Sequence, residues 1–172
     1  YVTEALWTPL EELDVAFRKE MSEKNLIQEL EHWLRHWVGR PTELSYLNGM
    51  TSKYGGGRLW AKREDHAHTS SFCSSLAMGY GLLAKRMGFE VLTGETASGA
   101  YGVALGSVAA SLGMECKVFI GRSDYEVLGT AVDRMRLLDV DIDVVPSENR
   151  GRHAAISEAL QHWATHSDEV FY

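Results

Sequence analysis

The chain has 172 residues and a mass of 19.2 kDa, enough for one domain with a real core. Hydrophobic residues make up 45% and charged residues 24%, which excludes a disordered or fibrous chain. With 17 basic against 24 acidic side chains, the net charge of −7 argues against a protein that grips nucleic-acid phosphates. No apolar run reaches the roughly 18 residues of a spanning helix, so no membrane partner is expected. The two cysteines, Cys73 and Cys116, form no disulfide framework, and the expected location is cytoplasmic.

In chain order, the first forty residues read as two helices. Thr8-Pro9-Leu10-Glu11 has the form of a capping box with proline at the first helical position, and Leu10, Leu13, Phe17 and Met21 then mark one helical face. Leu26, Leu30, Trp33, Leu34 and Trp37 mark a second helix that Gly39 and Pro41 stop. A loop follows, ending in Gly55-Gly56-Gly57. From Arg58 the pattern changes to alternating strands, at Arg58–Lys62, Glu90–Gly94, Cys116–Ile120 and Val140–Val145, and helices, at Ser71–Met87, Gly99–Leu112, Asp124–Leu137 and His153–Thr165. Strands separated by such helices form βαβ units. The expected fold is therefore one three-layer α/β domain, with a parallel sheet of about four strands flanked by helices. Residues 1–57 form an N-terminal helical arm and loop, and residues 58–172 the small α/β domain, in one compact unit. The acidic alternation of Val140-Asp141-Ile142-Asp143-Val144 marks an edge or half-exposed strand.

Glu95 ends the second major strand, before Thr96-Ala97-Ser98-Gly99-Ala100-Tyr101-Gly102 and a helix. Parallel sheets bind ligands beyond such strand ends, where a carboxylate moves protons and helix N–H groups meet anions. The competing reading of Glu95 is a helix cap. His66, His68 and Cys73 match no metal-ligand spacing, and no metal is expected. Cys73 stands in a helical first turn, where a thiol is activated, but no base is adjacent in sequence. The Gly102-x-x-x-Gly106 spacing serves close packing, Trp33 and Trp37 serve the core or an interface, and Lys85-Arg86 forms a solvated last turn.

The chain resembles the amino-terminal half of the tryptophan synthase β subunit, a fold-type II pyridoxal-phosphate enzyme family. The matching runs include Leu10-Glu11-Glu12-Leu13, Gly39-Arg40-Pro41-Thr42, Lys62-Arg63-Glu64-Asp65, His68-Thr69, Leu82 to Gly88, Glu95-Thr96, Gly102-Val103-Ala104 and Arg134 to Leu138. The resemblance implies the family's helical arm and small mobile domain. It also marks departures. The family's His-Thr-Gly-Ala-His-Lys reads His68-Thr69-Ser70-Ser71-Phe72-Cys73, so Cys73 stands where the cofactor lysine belongs. The family's Gln-His is Ala100-Tyr101, its gating arginine is Val127, and a lysine facing the α subunit is His153. The family continues past Tyr172 into a domain that carries the phosphate cup.

The expectation is a chain that uses no cofactor. Glu95, whose counterpart in the family handles protons beside indole, is retained for acid–base work on a hydrophobic or indole-like small molecule, in a cyclase, isomerase or lyase. Catalysis is assigned to Glu95, Tyr101 and Cys73, and substrate binding to Thr96, Ser98, Gly99, Ala100, Gly102, Phe72 and His68. The second reading is a non-catalytic binding partner. Under either reading a homodimer or hetero-complex is expected.

Overall fold

The computed structural model describes residues 4–23, 25–146 and 151–172. A 3₁₀ turn, Glu4–Leu6, runs directly into α1 (Trp7–Glu23), and α2 (Asn25–Trp33) continues as a π-helical turn, Leu34–Val38. Thr8 therefore lies inside α1 rather than at its cap, and Glu11 accepts a hydrogen bond from the Trp7 indole N–H at 2.8 Å. Two short strands, β1 (Leu44–Tyr46) and β2 (Trp60–Lys62), flank α3 (Asn48–Tyr54). After them come α4 (Cys73–Met87), β3 (Val91–Thr96), α5 (Ala100–Leu112), β4 (Glu115–Gly121), α6 (Arg122–Val127), α7 (Gly129–Leu137), β5 (Asp141–Val145), α8 (Gly151–Thr165) and β6 (Val170–Phe171).

The main sheet has four parallel strands in the order β5-β4-β3-β6. Its membership differs from the sequence expectation. The Arg58–Lys62 segment supplies β2, which pairs antiparallel with β1 in a separate two-stranded sheet, and the fourth main strand is Val170–Phe171. The β1–β2 pairing spans the expected arm boundary at residues 57 and 58, and the expected helix over 124–137 is broken into α6 and α7 at Leu128. Asp141–Val145 lies at a sheet edge, as its acidic alternation indicates.

Burial explains the layering. Nine of the 13 residues of α5 are buried, and β4 beneath it buries Cys116, Val118, Phe119 and Ile120. A Cβ at Gly102 would sit 2.5 Å from Met135 Sδ, and one at Gly106 2.4 Å from Val140 Cγ2, so these glycines let α5 close onto its neighbours. Burial pushes the Cys116 thiol up to about 12, which makes it an inert core group.

Polar anchors bind the arm to this core. Arg86, expected to be solvated, instead donates to Glu20 at 2.5 Å and Glu29 at 2.7 Å, tying α1 and α2 to the end of α4. Arg40 donates to Glu64 and to Ser75 Oγ, and Thr42 donates to the same Glu64 carboxylate at 2.8 Å. The Thr42 hydroxyl, with Arg40 behind it, holds Glu64 below the usual carboxylate range. Two of the sequence runs that carry the family resemblance thus meet in one cluster.

Candidate functional site

β6 pairs with β3 only through Val91 and Leu92. Among the described residues, Thr93–Thr96 have a strand partner only on the β4 side, and all four line a cavity of about 580 Å³ at the carboxyl end of β3. Successive strands leave β3 toward β4 on one side while β6 takes the other. This reversal of strand order is where parallel sheets open a crevice for ligands.

The cavity gathers side chains from distant elements. Glu95 from β3, Ser98 from the loop after it, Tyr101 from α5, Cys73 and Tyr80 from α4, Phe72 before α4, Arg152 from α8 and Tyr172 after β6 all line it. Tyr172 donates its hydroxyl to Glu95 Oε2 at 2.7 Å and stacks on Trp163 at 5.6 Å between ring centres. Gly94 gives the Tyr101 ring room: a Cβ there would lie 3.1 Å from Tyr101 Cε1.

Both phenols titrate above the ordinary tyrosine value of 10.0. Burial dominates at Tyr101, and burial followed by the bond to Glu95 dominates at Tyr172. Each therefore remains a hydrogen-bond donor near neutrality. The sign for stability follows from the same shift. The unfolded chain releases these protons near pH 10 while the folded chain retains them, so stability is fully present below pH 10 and falls as pH rises beyond it. Melting temperatures measured between pH 9 and 11 are expected to show this decline, and Tyr101→Phe to make it shallower.

Of the residues assigned from sequence, Phe72, Cys73, Glu95, Thr96, Ser98 and Tyr101 come together in this cavity. Four others lie outside its lining. His68 stacks on Trp37 at 4.2 Å, Gly99 caps α5 with φ of +78°, Ala100 begins that helix, and Gly102 is packed against Met135. Thr96 Oγ1 is buried without a hydrogen-bond partner. The residues not foreseen are Leu76, Tyr80, Thr93, Gly94, Ala97, Arg152 and Tyr172. A repeating aliphatic and aromatic spacing on α4 is the one sequence signal for Leu76 and Tyr80, whereas nothing local marks Arg152 or Tyr172. The segment before α4 is strained: Thr69 and Ser70 hold φ of 65° and 59°, a left-handed backbone that non-glycine residues seldom adopt. Among the described residues no three His, Cys, Asp or Glu side chains group as a metal site, and no helix is long and apolar enough to cross a membrane.

A protein-family model described as pyridoxal-phosphate dependent enzyme matches residues 38–172, and the chain belongs to that family. It is 42% identical over 174 residues to a tryptophan synthase beta chain of Shouchella clausii and 38% identical over 172 residues to one of Anoxybacillus flavithermus. Each match covers 100% of this chain and 43% of the relative, so the chain spans less than half the length of these curated relatives. Two solved structures share the fold: a pyridoxal 5'-phosphate-dependent aspartate racemase, with a TM-score of 0.68, 16% identity and coverage of 86% of this chain and 44% of that one, and the Escherichia coli diaminopropionate ammonia lyase in apo form, with a TM-score of 0.64, 18% identity and coverage of 87% and 44%.

The family's cofactor needs a lysine amine at its aldehyde, and the residues here do not fit it. Among the described residues no lysine lines the cavity. Among the described residues, Lys62 is bonded to the Thr42 carbonyl, Lys85 to the Leu112 carbonyl at 2.7 Å, and Lys117 is paired with Asp141 at 2.7 Å. The side chain at the matching place is the Cys73 thiol, which forms no imine.

Proposed function

We propose that this chain performs acid–base chemistry without pyridoxal phosphate, at Glu95, on a hydrophobic, indole-like small molecule. One observation carries the reading: the cavity is lined by a carboxylate held by a phenol, and by a thiol where the resemblance puts the family's amine. Glu95 accepts a proton from the ligand, and Tyr172 positions the carboxylate through its 2.7 Å bond. Tyr101 donates to charge that develops on the ligand, and Phe72 and Tyr80 offer aromatic surface to a flat ring. The Cys73 thiol lines the same wall as a soft, weakly donating group. The names of the curated relatives support an indole-like ring, and rearrangement, ring closure or elimination all proceed through one such proton transfer.

Binding of indole followed by calorimetry tests the reading. Glu95→Gln replaces a charged acceptor by a neutral one of the same shape, and affinity is expected to fall about 10- to 100-fold. Equal affinities in the two proteins contradict the role given to Glu95.

A second reading, a partner-binding role, has its own observation. The accessible surface is 10,474 Å² for 19.2 kDa, against roughly 8,400 Å² for a compact monomer of this mass. Phe72, just before α4, and Leu76 and Tyr80 on it are exposed. The surplus exceeds the roughly 800 Å² that one partner contributes to a standard interface, and it supports a homodimer or hetero-complex across that face. Sedimentation is expected to show self-association at micromolar concentration, and a stable monomer at that concentration contradicts the homodimer.

A further inference from the structure

Beside the Glu95 cavity lies a second one of about 560 Å³, walled by α1, α2 and α4. The apolar stripe of α1, including Leu10, Leu13, Phe17 and Met21, lines this groove without filling it, and none of the 17 residues of α1 is fully buried. Three helical turns of that stripe span about 16 Å. The two cavities adjoin, and Leu76, Tyr80 and Tyr172 form their shared border.

Gly79 opens the floor of the groove. It stands in the interior of α4 between Leu76 and Leu83, and a Cβ there would meet nothing within 4 Å. Its backbone is ordinary helix, so neither an unusual φ nor the packing of this chain demands glycine at a position where glycine weakens a helix. Gly81, by contrast, has Val108 Cγ1 2.6 Å from where its Cβ would sit, and is required by packing. The space above Gly79 is left open by the described residues.

We infer that the groove over Gly79 binds a linear apolar tail on the ligand whose ring sits at Glu95, which makes the substrate class an alkyl- or prenyl-substituted aromatic. The inference rests on the reading of Glu95 as the ring's acceptor. The border it shares with that cavity at Leu76, Tyr80 and Tyr172 favours a tail over a separate partner. The groove is too narrow in polar groups for a charged chain: apart from Tyr80 and Tyr172 at the junction, its polar lining is Asp14 and Ser75.

Calorimetry with 3-methyl-, 3-butyl- and 3-hexylindole tests it on the full chain. Affinity is expected to rise by about fourfold per added methylene until the groove is filled. Gly79→Phe plugs the floor. It is expected to leave the melting temperature equal or higher and the 3-methylindole affinity unchanged, while abolishing the gain with chain length. Phe17→Asp, on an exposed position of α1, is expected to reduce the gain as well. If 3-methylindole binds but affinity is flat along the series, or if Gly79→Phe preserves the gain, the tail site is wrong and the role of Glu95 stands. If 3-methylindole fails to bind, the reading of Glu95 falls and this inference falls with it. Flat affinity accompanied by concentration-dependent sedimentation assigns the groove to a second copy and also overturns the tail site.

Discussion

Glu95→Gln is expected to slow proton exchange on bound indole by about 10²- to 10⁴-fold, the range one positioned acid or base contributes. In deuterium oxide the chemistry is simple to follow. Accepting the ring N–H proton raises electron density at C3, where a solvent deuteron adds; loss of the original C3 proton and return of a proton to nitrogen restore the ring. Proton NMR reads the decay of the C3 signal. The substitution is nearly isosteric and still accepts the Tyr172 hydroxyl through its amide oxygen, so the 2.7 Å contact that anchors Tyr172 survives. The melting temperature is accordingly expected to change little while exchange collapses. Exchange that persists at the parent rate in Glu95→Gln contradicts the assignment.

The largest effect on folding is expected from Gly121→Ala. Gly121 ends β4 and abuts Gly151, the first residue of α8: a Cβ on it would lie 2.3 Å from Gly151 Cα and 2.7 Å from its carbonyl oxygen. These are backbone atoms with no rotamer to relieve the clash, so α8 must move as a body. Overpacking of this kind costs about 3 kcal/mol, or about 6 to 12 °C in melting temperature for a chain of this length. The displacement reaches the site, because α8 brings Arg152 to the cavity and Trp163 to the face of Tyr172. Gly49→Ala is the control, since a Cβ at Gly49 meets nothing within 4 Å on α3. It is expected to leave the melting temperature unchanged or raised. Equal stability of Gly121→Ala and the parent chain contradicts this packing.

What the sequence reveals divides by distance along the chain. The helices of the α/β region are legible because their apolar spacing and the glycines that stop them are local; Gly88 and Gly113 hold φ of +89° and +69° at the ends of α4 and α5. The edge position of Asp141–Val145 is legible because charge alternates within five residues. The partner of a three-residue strand is not. Trp60–Lys62 has no feature that separates a place in the main sheet from its actual antiparallel pairing with Leu44–Tyr46. Val170–Phe171 is two residues long, too short for any period, and joins the sheet only because β3 offers Val91 and Leu92.

The site divides in the same way. Glu95, Thr96, Ser98 and Tyr101 are consecutive or nearly so, and a strand end followed by a helix start identifies them. Phe72 and Cys73 stand out through the departure of His68 to Cys73 from the family's run. Tyr172 reaches Glu95 across 77 residues, and Arg152 arrives on α8, so neither carries a local signal. Gly99, Ala100 and Gly102 share the loop-to-helix segment that marks the site but serve the cap and the packing of α5. The apolar face of α1 is legible in sequence as one helical stripe, and the structure makes it the wall of a groove. Periodicity reports that a face must be covered and is silent on what covers it.

The most direct test of the central claim is an absorbance spectrum of the protein incubated with pyridoxal phosphate and then dialysed free of unbound cofactor. Borohydride reduction and peptide mapping of any label follow. The account predicts no absorption at the edge of the visible that borohydride bleaches and no pyridoxyl group on a peptide that lines the Glu95 cavity. A bleachable band whose label maps to that cavity contradicts it.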